Sequence, residues 1–186
     1  MFESIIQKDK ELLVFLNNLG SEQWDALWLL ITNQFCWIPL FLFIFFIIIK
    51  TFGWKRGGFM ILAMILLVAF SDQFVNLIKN STERLRPNND PEIKESLRHL
   101  INPQSFSFIS GHATTSTFFS VFVILLLKEN HRKIYFILLF PMLFSYSRLY
   151  LGVHFPIDIS LGIITGILLA NIYYFFFKKL DKNLFI

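Results

Sequence analysis

The chain has 186 residues, of which 55% are hydrophobic and only 16% charged, with 24 Phe and a formal net charge of +4. Its apolar runs approach or exceed the roughly 20 residues needed to cross a hydrocarbon core of about 30 Å, which excludes an ordinary soluble domain and makes a bilayer the solvent for most of the chain. The single cysteine, Cys36, lies inside an apolar run and excludes an intramolecular disulfide.

Taken in chain order, "MFESIIQKDKELLVFLNNLG" carries acidic residues early and has no continuous apolar core, so it does not read as a signal peptide. Phe2, Ile5, Ile6, Leu12, Leu13, Leu16 and Leu19 recur at helical spacing among charged residues, which predicts an amphipathic helix lying in the membrane interface. Five spans follow, at about 27–49, 57–78, 108–127, 134–151 and 157–177, each bounded by charge or turn residues. The third opens with "SGHATTST" and is continuously apolar only after Phe118, so its first half must face protein or water. No repeat or Pro/Gly/Ser-rich linker divides the chain. The expected fold is all-α, a polytopic membrane helical bundle of about five transmembrane helices plus the interfacial helix, as one domain over 1–186.

Loops rich in Lys and Arg tend to remain cytoplasmic. With the N-terminus outside, Lys50, Lys55, Arg56, Lys128, Arg132, Lys133, Lys178, Lys179 and Lys182 gather on the inner side, opposed by only Glu129 and Asp181. This asymmetry accounts for the basic balance without a nucleic-acid partner. The N-terminal helix, the 79–107 connection and the 147–156 turn then share the outer face.

Three polar stretches stand out on that face. In "KNSTERLRP", Lys79 and Arg86 are seven residues apart, nearly two turns if the helix continues, so both cations point the same way and can grip one anion. Arg84 is expected to point elsewhere, and Pro87 ends the pattern. In "SFISGHATT", Ser110 is a good N-cap, Gly111 permits close backbone approach, and His112 is placed to give a proton to a leaving oxygen beside a helix N-terminus suited to anions. In "SRLYLGVHFPID", Pro156 fits the first turn of the last span. Asp158 can then reach back to hold one ring nitrogen of His154 protonated and leave the other free to attack, with Arg148 adding a third cation. Asp72 and Asn76 share the Lys79 face and either position it or line the site floor. His99 and His131 read as solvated loop residues, and Trp24, Trp28, Trp54, Tyr173 and Tyr174 as interfacial anchors.

Lys79 with Arg86-Pro87, Ser110-Gly111-His112, and Ser147-Arg148 with His154 and Asp158 resemble, in order and spacing, the three signature stretches of the type 2 phosphatidic acid phosphatase (PAP2) superfamily. One position departs: Ile109 stands where a proline usually precedes Ser-Gly-His, which bears on the rigidity of that turn. The resemblance implies that His154 is a nucleophile forming a phosphohistidine, that Asp158 orients it, and that His112 protonates the departing oxygen. It further implies that Lys79, Arg86, Arg148, Ser110 and the Gly111 amide hold the phosphate oxygens. Three cations and backbone amides can stabilise the transition state without a metal or other cofactor, and no carboxylate cluster suits magnesium.

The partners implied are the bilayer and a membrane lipid phosphate: undecaprenyl pyrophosphate, phosphatidylglycerol phosphate, phosphatidic acid or a lipid A phosphate. Likeness to the small bacterial members favours undecaprenyl pyrophosphate, in the inner membrane, with the site on the extracytoplasmic face. Two rival readings are a vanadium haloperoxidase-like enzyme, which uses a similar pocket to hold vanadate, and a catalytically silent lipid-binding protein.

Overall fold

The computed structural model describes residues 2–185, except for the side chains of Phe2 and Phe185, so the predicted contribution of Phe2 to the N-terminal apolar face lies outside the described side chains. Among the described residues all regular structure is helical, in the order α1 (Phe2–Asn18), α2 (Glu22–Thr32), α3 (Ile38–Thr82), α4 (Gly111–Leu127), α5 (Leu139–Tyr150) and α6 (Pro156–Phe185), joined by loops and short 3-10 turns.

The N-terminal helix forms as expected, with most of its apolar residues facing outward and Leu13 inward. Ile5, Leu12, Phe15 and Leu19 are exposed, whereas Asp9, Leu13 and Asn17, each four residues from the next, are buried against the protein. The buried polar residues find partners: Asn17 donates Nδ2–H to the Tyr150 carbonyl (2.7 Å) and accepts the Arg98 backbone N–H (2.7 Å). Lys10 adds ion pairs to Asp90 and Glu92, both at 2.8 Å. Thus α1 docks through Asp9, Leu13 and Asn17 and carries Ile5, Leu12, Phe15 and Leu19 on its outer face.

The predicted span 27–49 is not one helix. α2 ends at Thr32, and Asn33 turns the chain by accepting the Phe35 N–H on its side chain (3.0 Å) before α3 begins with Pro39 in its first turn. The local cap and the proline override the continuity of the apolar run. α2 instead packs on α5: Trp28 stacks on Tyr150, and Tyr150 donates its hydroxyl to Asp25 (2.6 Å). Trp28 is therefore a packing residue, as is Tyr173, whose hydroxyl donates to the Ala63 carbonyl (2.8 Å); Trp24 and Trp54 are exposed.

α3 is a hairpin rather than a rod. Gly53 takes φ 76° and ψ 170°, which only glycine adopts readily, and breaks the helix into limbs 38–52 and 54–82. A Cβ on Gly57 would lie 3.1 Å from the Ile49 Cα, an approach that a straight helix excludes for residues eight apart. Ile44 and Ile48 of one limb accordingly join Met60, Met64 and Leu67 of the other in a core shared with Phe118, Phe119 and Phe122 of α4.

α4 is the central helix. Its polar first half, Thr114, Ser116, Thr117 and Ser120, is buried in protein, which satisfies the demand that this half avoid lipid. α6 packs closely along it, since a Cβ on Gly166 would stand 2.6 Å from the Thr114 carbonyl oxygen and one on Gly162 3.0 Å from that of Ser110. By length and composition two helical stretches qualify as membrane-crossing, Gln34–Asn89, which contains the hairpin, and Pro156–Leu184. α4 and α5, with 17 and 12 residues, are too short to qualify, so helix length alone does not reach five spans.

The two ends separate as the charges suggest. At one, Arg56 pairs with Asp181 (2.5 Å) and the Thr51 hydroxyl meets His131 (2.8 Å), so His131 is not simply solvated. At the other lie α1, the 83–110 connection and the α5–α6 turn.

Candidate active site

The second limb of α3 ends at Thr82, and Glu83 adopts a left-handed conformation that closes the helix with its N–H on the Lys79 carbonyl. Lys79 and Arg86 therefore do not share a helix face as expected. The turn at Glu83 and the extended backbone of Arg86 bring the two cations to the same cavity. α4 starts at Gly111, capped by the Ser110 side chain, which accepts the Ala113 N–H (3.4 Å). α6 starts at Pro156, which places Asp158 in its first turn. The Ser110 N–H donates to the Asp158 carbonyl (3.2 Å), so the starts of α4 and α6 are stitched together. Ile109, at the position of the usual proline, is buried, and the peptide before it is cis.

A cavity of about 790 Å³ is lined by Lys79, Arg86, Gly111, His112, Arg148 and His154 at its polar end. Its remaining wall is largely apolar, with Trp37, Phe41, Phe45, Met64, Ile65, Val68, Phe119, Phe140 and Phe144. Asp72 and Asn76 line it as well, Asn76 donating to Asp72 within the helix (3.2 Å). Ser110 and Asp158 do not line the cavity: the first caps α4, and the second lies behind His154.

The hydrogen bonds fix the tautomer of His154. Arg86 Nη1 lies 3.1 Å from His154 Nε2, and since arginine can only donate, Nε2 is the acceptor and carries a lone pair. The ring proton is then on Nδ1, which faces Asp158 Oδ2 at 3.5 Å and the Ser107 hydroxyl at 3.4 Å. Burial, and next the cations Arg86, Arg148 and Lys79, hold the imidazole well below its ordinary pKa near 6.5, so it is neutral. Asp158 Oδ2 also accepts the Ser107 hydroxyl (2.5 Å) and the Phe155 N–H (3.1 Å), while Oδ1 accepts Arg84 Nη1 (2.6 Å).

The cations are held by different means. Arg86 donates Nε–H to the Ser105 carbonyl (2.6 Å), Nη2–H to the Ser105 hydroxyl (2.9 Å) and Nη1–H to the Val153 carbonyl (2.9 Å). Burial lowers its pKa to about 10, which leaves it charged at neutral pH. Arg148 donates Nη1–H to Thr32 at the end of α2 (2.6 Å), and its buried Nε has no hydrogen-bond partner among the described residues. Lys79 is buried, and its ammonium makes no hydrogen bond or ion pair among the described residues. His112 stacks on Phe144 with ring centroids 4.3 Å apart. Three cations and a neutral imidazole, whose Nε2 lone pair faces Arg86, thus converge at one end of a cavity whose other walls are largely apolar. Such an end can bind a tetrahedral anion and attack it.

Arg84 points away from the cavity, as expected, but its bond to Asp158 was not legible in the sequence, nor were the roles of Ser107, Ser105 and Thr32. Ser107 stood within the quoted "SFISGHATT" but no spacing rule links a serine to a carboxylate 51 residues away. The sequence signal for Arg84 is that it is a second arginine two residues before Arg86.

Residues 57–182 match the model of the PAP2 superfamily. Among curated proteins, the lipid A 4'-phosphatase of Bacteroides thetaiotaomicron is 34% identical over 188 residues, covering 99% of this chain and 83% of that protein. The lipid A 4'-phosphatase of Porphyromonas gingivalis is 28% identical, covering 92% of this chain and 74% of that protein. The phosphatidylglycerophosphatase B of Bacillus subtilis is 33% identical over 65% of this chain and 58% of that protein. Among solved structures, the fold resembles a transmembrane PAP2-type phosphatidylglycerolphosphate phosphatase from Bacillus subtilis, with a TM-score of 0.75 at 22% identity over 95% of this chain and 87% of that one. It also resembles Aquifex aeolicus LpxE, with a TM-score of 0.67 at 23% identity over 88% and 92% of the two chains. A family match over most of the chain, carried on this helical framework, makes the protein a member of the PAP2 superfamily.

Proposed function

We propose that this protein is a membrane lipid phosphatase that removes a terminal phosphate through a phosphohistidine intermediate. The observation that carries the reading is the two-part cavity: its cationic end suits a phosphate and its long apolar wall suits a lipid tail. Lys79, Arg86, Arg148 and the Gly111 amide hold the non-bridging oxygens, with Ser110 keeping that amide in place as the helix cap. His154 Nε2 attacks phosphorus, the bond to the leaving oxygen breaks, and His112 supplies that oxygen with a proton. The imidazole gains positive charge in this step, and Asp158 stabilises it through Nδ1–H. Water, giving a proton back to His112, then attacks the phosphohistidine, the N–P bond breaks and inorganic phosphate leaves. Arg86 Nη1 donates to the Nε2 lone pair, so attack requires that this N–H move onto a phosphate oxygen and release the nucleophile.

Among the lipid candidates a lipid A phosphate is favoured by the names of two relatives and by Asp72 and Asn76. These two groups lie one to two turns below Lys79 on the cavity wall, where a glycolipid presents hydroxyl and amide N–H groups and a prenyl pyrophosphate presents none. The membrane assignment is five crossings, by residues 34–52, 54–82, 111–127, 132–150 and 156–185, in a bacterial inner membrane with the cavity on the extracytoplasmic face. The short helices fit such a count because tilted neighbours and a locally thinned bilayer accommodate them.

The test is phosphate release from purified lipid A, phosphatidylglycerol phosphate, phosphatidic acid and undecaprenyl pyrophosphate, with wild type and His154→Ala in parallel and with EDTA present. The expected result is EDTA-resistant release, highest on lipid A and lost by at least about a thousandfold in His154→Ala. Equal release by both proteins overturns the mechanism, and a preference for undecaprenyl pyrophosphate overturns the substrate.

A further inference from the structure

The N-terminal helix reaches the catalytic centre through one buried pair. Asp9 of α1 has a side chain only 1% exposed, and its Oδ2 accepts Arg84 Nη2 at 2.8 Å. The same guanidinium gives Nη1 to Asp158 Oδ1 at 2.6 Å and lies over the Phe155 ring, 4.0 Å from its centroid. Asp9 Oδ1 accepts the backbone N–H of Ile157, the residue before Asp158, at 2.9 Å. Both Asp9 oxygens therefore accept N–H bonds, an arrangement that suits the ionised carboxylate. Asp9 does not line the cavity and touches neither His154 nor any group assigned to the phosphate.

We propose that Asp9 is a positioning residue for phosphoryl transfer, acting through Arg84 to fix the orientation and the charge of Asp158 behind the nucleophile. This rests on the phosphatase reading given above. Two physical effects support it. The first is geometric: a planar fork held at one end by Asp158 alone can pivot about that bond, whereas a fork held at both ends and pressed on a ring cannot. The second is electrostatic. Arg84 by itself neutralises Asp158, which would leave no net charge behind His154 as the imidazole becomes cationic. Asp9 restores one net negative charge to the Asp9–Arg84–Asp158 group, in a buried setting where that charge is poorly screened. The Ile157 bond sets the first turn of α6 against α1, so the carboxylate and its brace move together.

The experiment is a double-mutant cycle on lipid phosphate hydrolysis in the full chain. Asp9→Asn is the first variant, because an amide oxygen can still accept the Ile157 N–H while the charge is lost. The expected result is a fall in kcat of at least about tenfold, with KM within about twofold because no phosphate contact is removed. On an Asp158→Asn background the same change has no further effect, because Asp9 acts only through Asp158. Arg84→Gln, which removes the brace, should show the same split and the same silence on Asp158→Asn, and it carries the test of the geometric effect if Asp9→Asn fails to fold. Arg84→Lys, which keeps the charge but not the fork, should recover part of the loss. Unchanged kcat in a folded variant, or losses that multiply with Asp158→Asn as a general loosening would, overturn the proposal. The wild-type against His154→Ala control in the same assay reports separately on the phosphatase reading.

Discussion

The imidazole of His154 shows how burial sets chemistry one residue at a time. A histidine at the mouth of a helix would titrate near pH 6.5 in water, but here it is 1% exposed and faces cations, so its charged form is disfavoured. The neutral state keeps Nε2 nucleophilic, and the sign of the resulting linkage follows. Below pH 6.5 the unfolded chain binds a proton at residue 154 that the folded chain refuses, so this residue makes folding stability fall as pH falls. Between pH 6.5 and 5.5 the loss attributable to His154 is up to about 1 kcal/mol. Detergent-solubilised wild type should therefore lose more thermal stability than His154→Gln over that interval. Equal losses would place the burden on other groups. Arg86, at about 10, remains charged throughout this range and does not contribute.

At the scale of elements, the site depends on how tightly α6 lies against α4. The second motif starts α4 and the third runs into α6, so their separation is the separation of the two helices. Gly162 and Gly166 allow backbone contact there, directly below Ser110. Gly166→Ala should force its Cβ against the Thr114 carbonyl and cost about 1–3 kcal/mol, with a fall in kcat as the helix starts part. Gly58→Ala, where a Cβ would meet nothing within 4 Å, is the matched control and should leave both unchanged. Melting midpoints and initial rates of the two variants decide the point. The third motif was legible in sequence because Pro156 and Asp158 sit at fixed offsets within one helix turn. The convergence of Lys79 and Arg86 was expected for the wrong reason, since the helix stops at Thr82 and a left-handed residue, not helical periodicity, turns Arg86 inward.

At the scale of the molecule, the charge asymmetry predicts which end faces outward. In a Cys36→Ser background, Lys8→Cys on α1 should react with a membrane-impermeant maleimide in intact cells, and Lys179→Cys on α6 should react only after permeabilisation; the opposite pattern would invert the assignment. The apolar runs, the motif order and the helix-start residues are legible along the chain, because each depends on spacing within a few turns or on the length of a bilayer. Relations across long stretches of chain emerge only once the helices are packed. They include which face of α1 is buried and the sharing of Arg84 between Asp9 and Asp158. No local pattern encodes them, since a buried carboxylate takes whichever cation the packing of distant helices brings within reach.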